Sequence, residues 1–232
     1  MEHYYTNKKY ISENDLVIID EEAHHLKNVL RKKIGDEIFV TDGERNLYKT
    51  HISGIEKDKI LCHIEEKYYD LNEPKRKIHL YLALIKNPSR FEFAIEKAVE
   101  IGVNEITPLI TEHVINKKTI KLERWQSIAL SAMKQSQRCY LPIINAPLLF
   151  ENAVQNCKTT LNMLADEKED SKTSFSLLSD DISLFIGPEG GFSDEEVESA
   201  RKNGIQIISL GKRKLRSETA AIIGVSKLID KD

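Results

Sequence analysis

The strongest constraint on the fold is a change of rhythm near residue 73. Ahead of it, short runs alternate apolar and polar residues with a period of two. Behind it, strand-like apolar runs take turns with longer segments of helical period. The first rhythm suits a small β-rich module, a barrel of short strands. The second suits a mostly parallel sheet with helices on both faces. In the first regime, residues 21–30 (EEAHHLKNVL) read as a helix, acids at its start and Lys27 and Arg31 towards its end, as the helix dipole favours. Residues 37–41, 47–52 and 60–64 read as strands, turned at Asp42-Gly43 and between Gly54 and Asp58. Residues 70–77 (DLNEPKRK) are polar, contain Pro74 and read as a linker, which divides the chain into 1–73 and 74–232.

The second regime opens with a strand at 78–85 (IHLYLALI). A helix at 89–101 follows, with Ser89 and Glu92 at capping-box spacing and Gly102 at its end. Strands at 105–110, 141–145, 160–165, 182–186 and 205–210 alternate with helices at 122–137, 148–157 and 217–229. A further helix starts at a second capping box, Ser193 and Glu196. Phe192 and Val197 are placed to staple it, and Gly204 stops it.

Hydrophobic residues make up 41% of the 232 and charged residues 31%, enough of each for a soluble protein with a real core. The longest apolar runs fall far short of the roughly 20 residues that span a bilayer. A cytoplasmic protein without membrane attachment is the expectation. Cys62, Cys139 and Cys157 form no CxxC pair, which speaks against a disulfide framework and a structural zinc site, so no metal is expected. The net charge of −3 would argue against a nucleic-acid partner if charge were spread evenly. Instead, residues 164–198 hold two lysines against eleven acids, whereas 201–216 hold six Lys/Arg and no acid. Such segregation either builds a basic face for phosphates or scatters over the folded surface.

Open α/β sheets bind ligands beyond the carboxyl ends of their strands, which singles out three loops. Gly187-Pro188-Glu189-Gly190-Gly191 follows the strand ISLFI; its glycines admit close backbone approach, as a ligand cradle or as a tight turn. It is neither G-x-G-x-x-G nor a P-loop. The stretch 210–220 (LGKRKLRSETA) runs from a strand end into a helix N-terminus, where free amides attract anions, and Ser217, Glu218 and Thr219 could equally cap that helix. Leu164-Ala165-Asp166-Glu167 places acids at a strand end, either for ribose hydroxyls or simply solvated.

Together these pieces resemble the RsmE family of SPOUT methyltransferases, which methylate N3 of one uridine in 16S ribosomal RNA of the small ribosomal subunit. FIGPEGGFSDEEV (185–197) and LGKRKLRSETA (210–220) look like that family's two cofactor-loop motifs, and HHLKNVLR (24–31) like part of its PUA-like N-terminal barrel. Lys86, Arg90, Lys97 and EIGV (100–103) match its first catalytic-domain helix, ITPLITE (106–112) the next strand and QSQR (135–138) the next helix. The resemblance implies an α/β, knotted SPOUT-type parallel-sheet domain behind a PUA-like β-barrel, with a C-terminal trefoil knot. It implies S-adenosylmethionine as cofactor, 16S rRNA as partner and a homodimer. Cofactor contacts would come from Leu164, Ile186, Gly187, Gly190, Gly191, Leu210, Gly211, Leu215 and Arg216. His3, His113 and Lys134 depart from the family pattern, in which arginine, arginine and glutamate respectively are usual.

The implied reaction needs the imide proton of N3 removed or its anion stabilised. Arg138 and Arg216 suit the anion, and Glu218 is a candidate base, against a plain role in capping or in a salt bridge. Lys27, Arg31, Lys86 and Arg90 are candidate RNA contacts. Trp125 reads as core or dimer interface. The rival readings are a knotted methyltransferase acting on ribose 2′-OH or a transfer-RNA guanine, and a non-catalytic RNA-binding protein. The intact cofactor loops oppose the second of these.

Overall fold

A computed structural model describes residues 3–114, 121–157, 159–169 and 179–229. The chain forms two units. The first contains residues 1–73 together with 133–141; the second contains 74–132 and 142–232. The return of 133–141 to the first unit was not foreseen from the two-part rhythm.

In the first unit, β1 (His3–Tyr5), β2 (Asp15–Ile19), β3 (Glu37–Thr41), β4 (Asn46–Ile55) and β5 (Lys59–Tyr69) form a curled half-barrel sheet in the order β1-β3-β4-β5-β2. Period-two alternation puts Leu16, Ile18, Ile38, Val40, Ile52, Ile60 and Cys62 on the buried face. Register shifts at Lys49/Thr50 and Ile52/Gly54 mark irregularities of the bulge kind, which bend a ribbon enough to curl it. The expected ten-residue helix is instead α1 (Asp20–His24) continued by a π-helical turn (His25–Val29), in which the amide of Leu30 reaches back to His25 O.

The buried salt bridge of this unit involves the predicted linker. Glu73, its side chain fully buried, accepts from Arg138 Nη2 at 2.7 Å and Nε at 3.2 Å, and from the amides of Cys139 and Tyr140 at 2.9 Å each. The strand once expected at 141–145 is therefore delayed to Ile143–Ile144. Residues 139–141 pair instead with the β3–β4 turn, where Arg45 N meets Cys139 O and Leu141 N meets Gly43 O.

The second unit contains β6 (Lys77–Ala83), α2 (Pro88–Ile101), β7 (Glu105–Ile110), α3 (Leu122–Gln135, whose last three residues group with the first unit), β8 (Ile143–Ile144), β9 (Leu148–Leu149), α4 (Phe150–Asn156), β10 (Leu161–Ala165), β11 (Asp181–Ile186), α5 (Asp194–Lys202), β12 (Gln206–Ile208) and α6 (Ser217–Leu228). Its parallel sheet runs β12-β10-β11-β6-β7-β8, with β9 also on β7. Near-continuous apolar runs fit strands buried on both faces: Leu80, Leu82, Leu184 and Ile182 are fully enclosed. Tyr81 stacks on Phe185 at 4.3 Å. Trp125 is core, tilted against Phe91 at 4.9 Å. The capping box at Ser193 and Glu196 forms as expected, and Gly102 ends α2 with φ +124°. The Ser89–Glu92 box does not form. Asn87 caps α2 through the amide of Ser89, and Glu92 pairs with Arg124.

Candidate functional site

Parallel register explains why distant segments meet. Ala165 pairs with Ile186, and Ala165 also pairs with Ile208, so three strands end level at one edge of the sheet. The loops that follow them emerge side by side. One cleft is lined by Ala165, Asp166 and Glu167 from the first loop; by Ile186 to Glu189 and Gly191 from the second; and by Ser209 to Gly211, Arg213 to Leu215, Ser217 and Ala220 from the third.

Two glycines here have backbones that other residues rarely adopt. Gly191 sits at φ +71° and Gly211 at φ +144°, and a Cβ at either would meet no atom within 4 Å. Gly187 has φ outside that region, but its Cβ would press on Gly191 and Phe192 at 3.2 Å. The walls thus combine exposed backbone with aliphatic surface from Ile186, Pro188, Leu210 and Leu215. Carboxylates of Asp166 and Glu167 stand at the rim, the latter paired with Lys214 at 2.8 Å. Such a lining fits a nucleoside-sized ligand that offers a flat base, vicinal hydroxyls and a charged tail.

Six of the nine expected cofactor positions line this cleft: Ile186, Gly187, Gly191, Leu210, Gly211 and Leu215. Three do not. Leu164 is wholly buried in the core beside Phe185, one residue short of the strand end. Arg216 is the exposed N-cap residue of α6, between two residues that do line the cleft. Gly190 faces away: its Cβ would lie 3.2 Å from His113, and it lines a second cleft with Lys86, Arg90, Glu112, His113, Val114 and Glu189. Asp166 and Glu167, the strand-end acids, and Arg213 and Lys214 of the basic stretch line the cleft as well, and Ser209 is a lining position that the sequence did not single out.

The second cleft brings together Lys86 and Arg90. Arg90 grips Glu218 with two bonds, Nε–Oε1 at 2.8 Å and Nη2–Oε2 at 2.6 Å, and touches Glu189 at 3.4 Å. Burial opposes the charge on Glu218, but the Arg90 hydrogen bonds outweigh it and hold the carboxyl below the usual glutamate range. A carboxylate so committed is a poor proton acceptor. Of the roles open to Glu218 in the sequence, the structure shows the salt bridge, to Arg90, and α6 has no side-chain cap among the described residues. The loop after β7 is pinned to the glycine loop twice, by Glu112 N donating to Glu196 Oε1 at 2.9 Å and by His113 Nδ1 donating to Gly191 O at 3.1 Å.

Arg138 lies in the first unit, 3% exposed and gripped by Glu73, so its guanidinium is spent on the fold rather than turned to a reacting anion. Two of the departures from the family pattern lie in that unit. Lys134 bonds Glu22 at 2.6 Å, and His3 stacks on Phe39 at 6.1 Å, with burial lowering its pKa. Lys27 Nζ donates to Glu56 O at 3.1 Å, and Arg31 is exposed with φ +53°. Val29, Leu30 and Ile34 are exposed nearby in sequence. Among the described residues no helix is long and apolar enough to cross a membrane, and no cluster of three His, Cys, Asp or Glu could hold a metal.

A parallel sheet whose glycine loops form a cleft at its carboxyl edge, preceded by a curled β module, is the two-part arrangement of the RNA methyltransferases that the chain matches. The RNA methyltransferase domain family matches residues 72–229 and the RNA methyltransferase PUA domain family residues 18–65. Ribosomal RNA small subunit methyltransferase E of Mesomycoplasma hyopneumoniae is 37% identical over 99% of both chains. The crystal structure of a ribosomal RNA small subunit methyltransferase E from Neisseria gonorrhoeae bound to S-adenosyl methionine superposes with TM-score 0.88 at 28% identity, covering 98% of this chain and 96% of that one. A Legionella pneumophila protein solved with the bound cofactor S-adenosylmethionine gives TM-score 0.86 at 31% identity, covering 97% of this chain and 96% of that one. This chain belongs to the RsmE family of small-subunit ribosomal RNA methyltransferases.

Proposed function

We propose that this protein methylates N3 of one uridine in 16S rRNA of the small ribosomal subunit, with S-adenosylmethionine as donor. The observation that carries the reading is the convergence of Ile186 to Glu189, Gly191, Ser209 to Gly211 and Arg213 to Leu215 on one cleft in a chain of this family. In that cleft, backbone of Gly187, Gly191, Leu210 and Gly211 would meet the adenine edge between Ile186 and Leu215. Asp166 and Glu167 would face the ribose hydroxyls. Leu164 would support the cradle from behind, and Arg216 would guard its mouth. When bound, the cofactor supplies an electrophilic methyl carbon on a sulfonium.

Holding N3 against that carbon is the larger part of the protein's task. Lys86 and Arg90 would fix the nucleotide on the other side of the glycine loop, Arg90 aimed by Glu218. Arginine there stays charged and donates in a plane, which suits a delocalised uracil anion. Lys27 and Arg31 of the first unit would take RNA phosphates, giving binding that weakens steeply with salt. The same reading carries a trefoil knot, a homodimer and a cytoplasmic location.

Nucleoside mass spectrometry of small subunits from a deletion strain, treated with purified protein and methyl-labelled donor, tests this. Label in N3-methyluridine supports it. Label in a 2′-O-methyl ribose or a transfer-RNA guanine, or donor binding that fails to saturate, overturns it.

A further inference from the structure

The two clefts share a wall, and among the described residues one ionisable side chain lines both. Asp166, Glu167, Arg213 and Lys214 face only the first cleft; Lys86, Arg90, Glu112 and His113 face only the second. Glu189, in the middle of the glycine loop, belongs to each. From this placement we propose that Glu189 is the general base of the reaction, the group that takes the imide proton from the target uracil. The inference rests on the methyltransferase reading above.

The way Glu189 is held supports the role. A carboxylate has about four acceptor sites. On Glu218 the strong ones are filled by two short bonds from Arg90, and its side chain is only 10% exposed. Among the described residues Glu189 makes only long contacts, to the amide of Lys86 at 3.3 and 3.4 Å and to Arg90 Nη1 at 3.4 Å, and its side chain is 38% exposed. Those contacts keep it oriented without using up its capacity to accept. The charged neighbours are Arg90 and Lys86, with Glu218 behind Arg90, Glu112 and His113 along the second cleft, and Arg213 and Lys214 across the first.

The step balances without a co-reactant. The N3–H bond breaks as a Glu189 oxygen gains the proton. The N3 electron pair forms the bond to the methyl carbon, and the carbon–sulfur bond breaks, leaving S-adenosylhomocysteine. Protonated Glu189 then returns its proton to water. A base at this position supplies roughly 100- to 10,000-fold in rate.

Glu189→Gln keeps the shape and the contact with Lys86 while removing the base. Turnover should fall about 100-fold or more. Donor affinity by calorimetry should stay within about threefold, since Gln preserves the loop. Uracil acidified by a 5-fluoro substituent needs less help, so RNA carrying 5-fluorouridine should recover at least about tenfold of the loss. Glu189→Asp, which retains a carboxylate, should lie between. Equal losses on both RNAs, a parallel collapse of donor affinity, or unimpaired turnover would each overturn the assignment. Failure of the parent reading looks different: the unmodified protein itself would leave N3 unmethylated.

Discussion

Two arginine–glutamate pairs, one in each unit, use the same Nε and Nη2 edge of the guanidinium to opposite ends. Around Arg138 and Glu73, exposures are 3% and 0%, and two backbone amides complete the carboxylate's shell. Around Arg90 and Glu218 they are 29% and 10%, and the guanidinium keeps an edge on an open cleft. Motif matching alone flagged both arginines. Solvent separates them: a sealed pair can only hold the fold together, whereas a half-open one can exchange its partner for a substrate.

The sharpest way to break this contrast is Glu73→Ala, which strands a buried guanidinium and two amides. Unfolding free energy should drop by about 3–5 kcal/mol in urea titrations. A change under about 1 kcal/mol would mean the sealed pair is not structural. Next in size, Gly191→Ala and Gly211→Ala each strain a glycine backbone by about 1–2 kcal/mol and push a methyl into the cleft. Calorimetry should show about tenfold or greater loss of donor affinity for either. Gly190→Ala, which points at His113, should leave it within about threefold. Arg90→Ala should cut methylation about tenfold or more while stability moves by less than about 1 kcal/mol, so equal effects on both would erase the distinction between the pairs.

The smallest effect is on pH. Glu218 has its carboxyl held down by Arg90, so the pair's stabilisation is present above the ordinary glutamate value of about 4.3 and fades as pH falls through the lower folded value. Glu218→Gln should flatten the acid limb of a stability profile in that window, and an unchanged limb would deny the linkage.

Much of this was legible before any coordinates. Strand periodicity found β3, β7, β10 and β11 nearly to the residue, because each is a short, mostly apolar run. β1 and β2 went unseen: His3–Tyr5 is too short for a period, and Asp15–Ile19 merges into an apolar run that could be helix or strand. The cleft was readable through its glycines, whose backbone demands show in sequence. Its acidic and basic rim was readable only as loops, since the side chains that face a ligand are chosen by register. The fate of Arg138 was hidden because burial depends on Glu73, 65 residues away in a stretch whose polarity imitates a linker.

The excursion of residues 133–141 back to the first unit has a consequence for biosynthesis. Translation delivers residues 1–73 long before the segment that seals Glu73 and borders the β3–β4 turn. The amino-terminal half-barrel must therefore wait, its carboxylate unquenched, until residues up to 141 of the 232 have left the ribosome. A nascent chain halted before Arg138 should remain protease-sensitive there, and one extended past Leu141 should close.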